Sequence, residues 1–361
     1  MPDLVVVGAG PIGLAVAWRA AQRGLAVTVY DDPVPDAGAW YAAAGIVAPV
    51  SEETVGDAQL TSLLVESAAA WPAFAAELEG VTGLDIDYRT GGALVVALTA
   101  YDLVTVRRLR EYQTGLGLVA YSQTTAQLRE REPLLAPQLR EGTYAAGDRQ
   151  VDPRRTMIAL HAACRAAGVI IVPTRVADLA DLPAARVVVA AGCGSAGLTG
   201  LPVRPVKGQV LRLRSPSRPA RSLNHMIRGY ADGRSVYLVP RPDGELVVGA
   251  TMEERFDHLV TAGAVLELLR AATDLVPELA GYELAETCVR HRPAMPDNRP
   301  FLGQLPGRPG VIVATGHYQN GILLTPLTAD LVVGALTEPA PPERFTTFGP
   351  ARLHSPVTSG S

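Results

Sequence analysis

The chain has 361 residues, 48% of them hydrophobic and 19% charged, with a formal net charge of −4 at pH 7. This length exceeds the size at which a single hydrophobic core usually stops growing, so two lobes are expected. There is no basic excess of the kind that nucleic-acid binding requires. The apolar run over residues 4–18 is interrupted by glycines and a proline, which predicts neither a signal peptide nor a membrane span, and we expect a cytoplasmic protein.

The first predicted elements form a β-α-β unit. Residues 4–7 form a short apolar strand that ends at a glycine, residues 14–22 favour a helix that stops before Gly24, and residues 27–30 form the next strand. Two parallel strands joined in this way require a right-handed crossover.

A glycine fingerprint lies at the first turn of this unit. Gly8-x-Gly10-x-x-Gly13 follows the strand and opens the helix, and Asp31 ends the next strand. The glycines allow a tight turn and close approach of a pyrophosphate to the helix N-terminus, and the acid can bind a ribose hydroxyl. Asp32 is the alternative residue for binding the ribose hydroxyl. The pattern predicts a dinucleotide site.

Helices and strands then alternate until the architecture changes near the middle of the chain. We expect helices over residues 62–79, 103–115 and 155–167 and strands over 91–97, 169–172 and 186–191. Residues 209–252 alternate short strands with turns, as in an antiparallel sheet. A helix over 265–274, a strand over 311–314, a loop over 316–324 and a helix to 336 follow, and the Pro-rich end predicts a loose tail over 346–361.

Two further patterns exclude alternatives. A second match, Gly192-x-Gly194-x-x-Gly197, follows a strand, but glycine and prolines beyond it leave no room for a nucleotide-binding helix, so a separate NAD(P)H domain is rejected. The three cysteines are far apart and lack metal-site spacing, so we expect packed thiols, no disulfide framework and no metal site.

The fingerprint and eight later motifs, in order along nearly the whole chain, resemble those of the glycine oxidase and D-amino-acid oxidase family of FAD-dependent oxidoreductases, the glycine oxidases of thiamine biosynthesis in particular. The motifs are AAAGIVAP (42–49), QVDP (150–153), VVVAAG (187–192), VKGQ (206–209), VYLVPR (236–241), VGATM (248–252), RPAMPD (292–297) and GHYQNGIL (316–323).

The resemblance implies an α/β plus antiparallel β fold in two interleaved domains. A discontinuous Rossmann-like FAD-binding domain is expected over residues 1–84, 146–206 and 293–345. A substrate-binding domain built on a large antiparallel sheet is expected over residues 85–145 and 207–292.

The resemblance also implies a set of residues that bind FAD. They are Gly8, Gly10, Pro11, Ile12, Gly13, Asp31, Asp32, Ala43, Ala44, Gly45, Val47, Val176, Gly192, His317, Gln319, Asn320, Gly321, Ile322 and Leu323. The last three are expected to begin a helix whose amides face the flavin edge that carries negative charge on reduction. Neither a cysteine beside the 292–297 motif nor a histidine near the fingerprint indicates flavin attachment, so the FAD is expected to be non-covalent.

Four residues match the family's substrate site: Arg292, Tyr237, Gln319 and Met252. A guanidinium holds a carboxylate through two parallel hydrogen bonds, the role that the resemblance implies for Arg292 with Tyr237 as its phenol partner. Arg290 and His291 are the alternative candidates for binding the carboxylate. The alternative role for Tyr237 is packing between neighbouring strands. His317 is expected to be a hydrogen-bonding loop residue, and Lys207 a solvated surface lysine rather than an oxygen-activating cation.

The implied reaction is the oxidation of a C–N bond. The amine carbon beside a carboxylate passes hydride to flavin N5, water converts the imine to glyoxylate or another 2-oxo acid plus amine, and O₂ reoxidises the flavin with release of H₂O₂. Glycine oxidases usually carry an arginine where this chain has Gln319, and a histidine can stand where it has Ser235. A larger N-substituted glycine of specialised metabolism therefore competes with glycine. A flavoprotein subunit without turnover and an NAD(P)-dependent reductase are the alternatives from other classes, and a homo-oligomer is left open.

Overall fold

The computed structural model describes residues 1–34, 38–51, 57–216, 223–340, 342–350 and 352. Its strands are β1 (Leu4–Val7), β2 (Val27–Tyr30), β3 (Ile46–Val47), β4 (Ala93–Ala97), β5 (Tyr121–Gln123), β6 (Gly142–Ala145), β7 (Arg149–Gln150), β8 (Ile170–Val172), β9 (Val187–Val189), β10 (Arg204–Arg214), β11 (Met226–Ala231), β12 (Arg234–Pro240), β13 (Glu245–Gly249), β14 (Glu283–Ala294), β15 (Phe301–Gln304) and β16 (Val311–Thr315). Its helices are α1 (Pro11–Gln22), α2 (Ala58–Thr82), α3 (Ala100–Gly115), α4 (Thr125–Arg131), α5 (Pro153–Ala166), α6 (Ser195–Thr199), α7 (Ala262–Leu275), α8 (Thr325–Thr337) and α9 (Glu343–Thr347).

The first lobe is built on a six-stranded sheet in the order β15-β16-β9-β1-β2-β8. All its pairs are parallel except β15 with β16. The runs in β1 and β9 are apolar at every position because both strands are buried on both faces. Helix α1 packs against α5 and α8 on one face, where Trp18 meets Phe74 of α2 edge to face at 5.6 Å.

The second lobe is built on an eight-stranded sheet in the order β14-β10-β13-β12-β11-β4-β6-β5. Its pairs are antiparallel except β11 with β4. One face is covered by α7 through Leu268 and Leu275. The other face packs against the segment around Ala44 and Ala48 of the first lobe. The predicted fold, an α/β lobe with a large antiparallel sheet beside it, is confirmed.

The lobes interleave along the chain. Strands of the six-stranded sheet come from residues 4–30, 170–189 and 301–315, and those of the eight-stranded sheet from 93–145 and 204–294. The boundaries proposed at 206 and 292 fall inside β10 and β14, so those exact limits stay predictions. None of the described helices combines the length and hydrophobicity needed to span a membrane.

Two expectations need comment. The loose tail predicted over 346–361 is wrong for its first residues, because α9 runs to Thr347 and Phe348, 1% exposed, joins the core of the first lobe. Residues 351 and 353–361 lie outside the described residues. The cysteines are packed thiols as expected: Cys164 and Cys288 are buried and Cys193 is half-buried. Burial raises the pKa of the Cys164 thiol to about 12.

Candidate active site

A cavity of about 1930 Å³ runs between the two lobes. One end is lined by the glycine fingerprint and the other by strands of the eight-stranded sheet, including Tyr237 and Arg292. Ordinary small-molecule pockets measure about 300–1,000 Å³. The cavity therefore has room for a dinucleotide and a second, smaller molecule.

The fingerprint forms a closely packed cradle at the end of β1. Gly8 has a φ of +107°, and a Cβ there would stand 2.8 Å from the carbonyl carbon of Ala190. A Cβ on Gly13 would overlap the carbonyl oxygen of Gly8, whereas one on Gly10, which lines the cavity, meets no atom of the described residues within 4 Å. Gly8 and Gly13 thus bring strand and helix together, and Gly10 leaves open space for the pyrophosphate. These residues fit a dinucleotide.

Asp31 and Asp32 both line the cavity beyond the fingerprint. Burial raises the pKa of the Asp31 carboxyl above its usual value, against hydrogen bonds from the backbone of Ala9 and Asp32 that lower it. The Asp32 side chain is 41% exposed, and its Oδ2 lies 3.8 Å from Nη1 of Arg175. Both acids remain available to a ribose.

The central walls come from three of the sequence motifs and from one residue outside them, Val176. Lining residues among those predicted are Ala43, Ala44, Gly45, Val176, Gly192, His317, Gln319, Asn320, Gly321, Ile322 and Leu323. Val47 is the exception: its neighbour Ile46 faces the cavity, and because side chains alternate along a strand, Val47 faces the core of the first lobe. Gly13 also contributes packing rather than lining.

The helix after this wall begins later than predicted. Helix α8 starts at Thr325, so residues 321–323 form the turn that precedes it. The hydrogen bond from Leu324 N to Asn320 O, 2.8 Å, closes this turn. The amides of residues 321–323 therefore belong to a tight turn at the cavity wall, not to the first turn of α8.

His317 is a buried hydrogen-bonding residue, as the sequence indicates. Its side chain is 3% exposed, and Nε2 lies 3.1 Å from Oγ1 of Thr328. Burial lowers the imidazole pKa to about 3, so the ring is neutral near pH 7.

The second formal fingerprint does not form a second cradle. Gly192–Gly194 is a single 3-10 turn, and α6 after it is five residues long and ends before Gly200. A nucleotide-binding helix is longer than α6, so this motif does not build a separate NAD(P)H domain.

The end of the cavity where the sequence predicts substrate binding has a floor of two glycines. Arg292 on β14 lies across Gly208 of β10, where a Cβ would stand 2.7 Å from the guanidinium carbon. Tyr237 on β12 is paired with Gly249 of β13, where a Cβ would stand 2.8 Å from the ring carbon Cε2 of Tyr237 and closer still to its Cζ and hydroxyl oxygen. The order β14-β10-β13-β12 sets Arg292 and Tyr237 on opposite sides of these glycines. The sequence motifs contained both glycines, but only the register reveals their part in the site.

The neighbours of Arg292 are engaged elsewhere. Arg290, two residues back on the same face, also lines the cavity and lies over the ring of Tyr41 at 4.9 Å. His291 stacks edge to face on His258 with ring centres 4.6 Å apart, and burial lowers its pKa. Arg292 Nη1 donates to the carbonyl of Thr251 at 3.0 Å. Of the three, Arg292 is the one held over the glycine floor.

The open side of the cavity carries the other predicted substrate residues. Met252 is 66% exposed and Gln319 is exposed, and both line the cavity. The Tyr318 hydroxyl lies 3.2 Å from the Met252 sulfur. Phe256, which the sequence analysis did not single out, lines the same side and is 73% exposed.

The expectation of a solvated Lys207 is wrong. Lys207 is 0% exposed, and its Nζ lies 2.6 Å from Oδ1 of Asp257 and 3.7 Å from Oε2 of Glu253. This hydrogen bond holds the pKa of the Asp257 carboxyl well below its usual range. The ammonium is fully engaged with acids of the segment that follows β13.

Residues 3–335 match the family described as DAO, FAD dependent oxidoreductase. The chain belongs to this family. A glycine oxidase of Geobacillus kaustophilus is 33% identical to it over 351 residues, which cover 91% of each chain. FAD is therefore the dinucleotide that the fingerprint serves, and the predicted resemblance, enzyme class and cofactor are confirmed.

Solved structures agree with this assignment. The crystal structure of a glycine oxidase from Geobacillus kaustophilus superposes on this FAD-dependent oxidoreductase with a TM-score of 0.86 at 33% identity, covering 95% of this chain and 96% of that one. An iminodiacetate oxidase from Chelativorans sp. BNC1 gives a TM-score of 0.86 at 26% identity, covering 96% and 98%. The similarity therefore extends over both lobes.

Proposed function

We propose that this oxidoreductase oxidises the C–N bond of glycine, an N-substituted glycine or a similar small amino acid. The observation that carries the proposal is the glycine floor, which holds Arg292 and Tyr237 over the same cavity that the fingerprint opens. Overall, R–NH–CH₂–COO⁻, O₂ and H₂O give R–NH₂, glyoxylate and H₂O₂. FAD, when bound, supplies the acceptor for the hydride that leaves the substrate carbon.

The protein's part is positioning. Arg292 binds the carboxylate through two parallel hydrogen bonds, and the Tyr237 hydroxyl donates a third. The amine must be neutral to release electrons, so its proton passes to water at the open side before oxidation. Glu253, which lines the cavity, accepts hydrogen bonds from Thr251 and Gln209 at its Oε1, so this oxygen is engaged within the protein and not by the substrate amine.

The relatives support the substrate class. Glycine and iminodiacetate, after which the two similar oxidases are named, share an aminoacetate unit, the part that Arg292 and the hydride acceptor would bind. Gln319 stands at the cavity wall where the family resemblance implies an arginine. A neutral amide there removes one charge-assisted bond to the carboxylate, which weakens the binding of every aminoacetate, and an N-substituent regains binding energy through contacts that glycine cannot make.

The first experiment is anaerobic mixing of the purified flavoprotein with glycine, sarcosine, D-alanine and N-benzylglycine, with flavin absorbance as the readout. Bleaching by a glycine-type amine, followed on aeration by equal amounts of glyoxylate and H₂O₂, is the expected result. Bleaching by NADH alone indicates a reductase, and no bleaching by any compound indicates a flavoprotein without turnover.

Three further properties belong to the proposal. The FAD is held without a covalent bond, so acid precipitation releases all of the flavin into the supernatant. The protein acts in the cytoplasm. Its electron acceptor is O₂, which an oxygen electrode detects directly, and retained flavin in the pellet or a lack of oxygen uptake contradicts the corresponding claim.

A further inference from the structure

The eight-stranded sheet opens beside the substrate site. Strands β12 and β13 are paired from Pro240 and Leu246 as far as Tyr237 and Gly249, where β13 ends. Beyond this point the chain is no longer paired with β12 but stays beside β10, its other neighbour: Thr251 N donates to Gln209 O at 3.3 Å, and residue 253 bridges to residue 207. The first residues of β12 are thus left without a β13 neighbour, and a gap separates them from the chain after Gly249.

The cavity continues into this gap. Beyond Tyr237 it is lined by Arg234 and Ser235 on the β12 side and by Thr261, Ala264 and Glu267 at the start of α7. The short side chain of Ser235 narrows the gap little. A group attached to the amine of a substrate held by Arg292 therefore has a lined path that leads out of the catalytic end.

Residues 250–261, here called the rim segment, form the other side of the gap and present apolar side chains to it. Met252 and Phe256 line the cavity and are 66% and 73% exposed. Exposed apolar side chains that rim a cavity indicate a surface that a ligand covers.

The rim segment is held in place. Buried Lys207 bonds Asp257, and Gln209 Oε1 accepts from the backbone N of Thr261 at 2.8 Å. Tyr318 contacts Met252. Ligand binding therefore does not have to order the backbone of the segment first, and the contact with Tyr318 preorganises the Met252 side chain.

We propose that the gap and the rim segment form a subsite for an apolar N-substituent, so that the substrate is a secondary amine of the N-alkylglycine or N-arylalkylglycine class, with Phe256 as the main specificity-determining residue. This rests on the proposed function and names its substrate class. A substituent of benzyl size removes apolar surface of Phe256 and Met252 from water, which glycine and sarcosine leave exposed.

The kinetic test compares kcat/KM for N-benzylglycine, sarcosine and iminodiacetate in the holoenzyme and two variants. Phe256→Ala is expected to lower the ratio of kcat/KM for N-benzylglycine to that for sarcosine by about tenfold. Leu259→Ala is the matched control, since Leu259 is 65% exposed on the same segment but does not line the cavity, and its ratio is expected to stay within about twofold of the parent's.

A binding test keeps the inference separate from turnover. (Benzyloxy)acetate and methoxyacetate are the ether counterparts of N-benzylglycine and sarcosine and have no amine to oxidise. Calorimetry on the holoprotein is expected to show tighter binding of (benzyloxy)acetate, with the preference reduced about tenfold in Phe256→Ala and kept in Leu259→Ala.

Each outcome bears on one claim. The apolar subsite is overturned if Phe256→Ala keeps the preference of the parent or if Leu259→Ala loses as much of it. It is also overturned if the wild-type enzyme prefers iminodiacetate to N-benzylglycine, because the subsite then binds a charged substituent. A protein that binds (benzyloxy)acetate through Phe256 and oxidises no glycine-type amine retains the subsite and overturns the proposed function.

Discussion

The guanidinium of Arg292 lies across Gly208 of the neighbouring strand, with its central carbon 2.7 Å from the place where a Cβ of residue 208 would stand. A side chain at position 208, even a methyl group, therefore displaces the arginine from the floor of the cavity. Gly249 has the same relationship to Tyr237. The two glycines shape the site without contributing a functional group.

Gly208→Ala is expected to raise KM for glycine-type substrates by about tenfold or more, with a smaller effect on kcat, because the new methyl group moves Arg292, the proposed carboxylate anchor. Steady-state kinetics measure this split. Gly91→Ala is the control, since its Cβ meets only the carbonyl of Asn224 at an ordinary 3.5 Å. A KM equal to that of the parent contradicts the assignment of Arg292 as the anchor.

Substitutions of two fingerprint glycines are expected to impair different properties, FAD binding for Gly10 and stability for Gly13. Gly10→Ala adds a methyl group that meets no protein atom, so the apoprotein keeps its stability while its FAD content falls. Gly13→Ala forces the methyl group against Gly8 and is expected to lower the free energy of unfolding of the apoprotein by about 1–3 kcal/mol.

Flavin-to-protein absorbance and urea unfolding of the apoproteins separate the two effects. Gly80→Ala serves as the control, because Gly80 lies in α2 and a Cβ there would meet no atom of the described residues within 4 Å. Loss of apoprotein stability in Gly10→Ala at unchanged FAD content reverses the assignment.

Gln319→Arg is expected to raise kcat/KM for glycine about tenfold, because a charge-assisted hydrogen bond to the carboxylate replaces a neutral one. The gain for N-benzylglycine is expected to be smaller, since the longer side chain narrows the open side of the cavity. Equal gains for both compounds, or none, show that position 319 does not set this preference.

His317 is expected to make stability depend on pH. The unfolded imidazole has a pKa of about 6.5 and the buried one about 3, so between these values only the unfolded state takes up a proton. Stability is complete above pH 6.5 and is lost as the pH falls toward 3, by about 2 kcal/mol at pH 5 from this group.

Urea unfolding at pH 7 and pH 5, with FAD in fixed excess, measures this loss. His317→Asn removes the titrating group and is expected to reduce the difference between the two pH values by that amount. A variant as sensitive to pH as the parent assigns the loss to other groups.

Lys207→Met is expected to release the rim segment, because Asp257 and Glu253 lose their buried partner. Limited trypsin digestion followed by mass spectrometry should then show faster cleavage after Arg255, which is exposed but held by the segment in the parent protein. Arg108→Gln, a substitution on α3, is the control that shows how much the cleavage rate varies between protein preparations. Cleavage at the parent's rate means that the segment is held without Lys207.

Local patterns in the sequence determined much of this protein. The apolar runs of β1 and β9, the fingerprint from Gly8 to Gly13 and the alternation of residues 209–252 predicted both lobes, because burial on two faces, tight turns and half-buried strands each leave a short-range signal. The motif around Arg292 and the placement of His317 also follow from the chain itself with the family resemblance.

Long-range register decided the rest. Gly208 and Gly249 acquire their meaning only from the side chains that β14 and β12 set above them, and Lys207 is buried because a segment some fifty residues later folds back over it. Phe348 is likewise buried by contacts with parts of the chain far from it in sequence, in a stretch whose composition indicated a loose tail. The gap beside Tyr237 depends on where the chain after β13 stops pairing with β12 while it stays beside β10, and no local pattern of residues encodes that point.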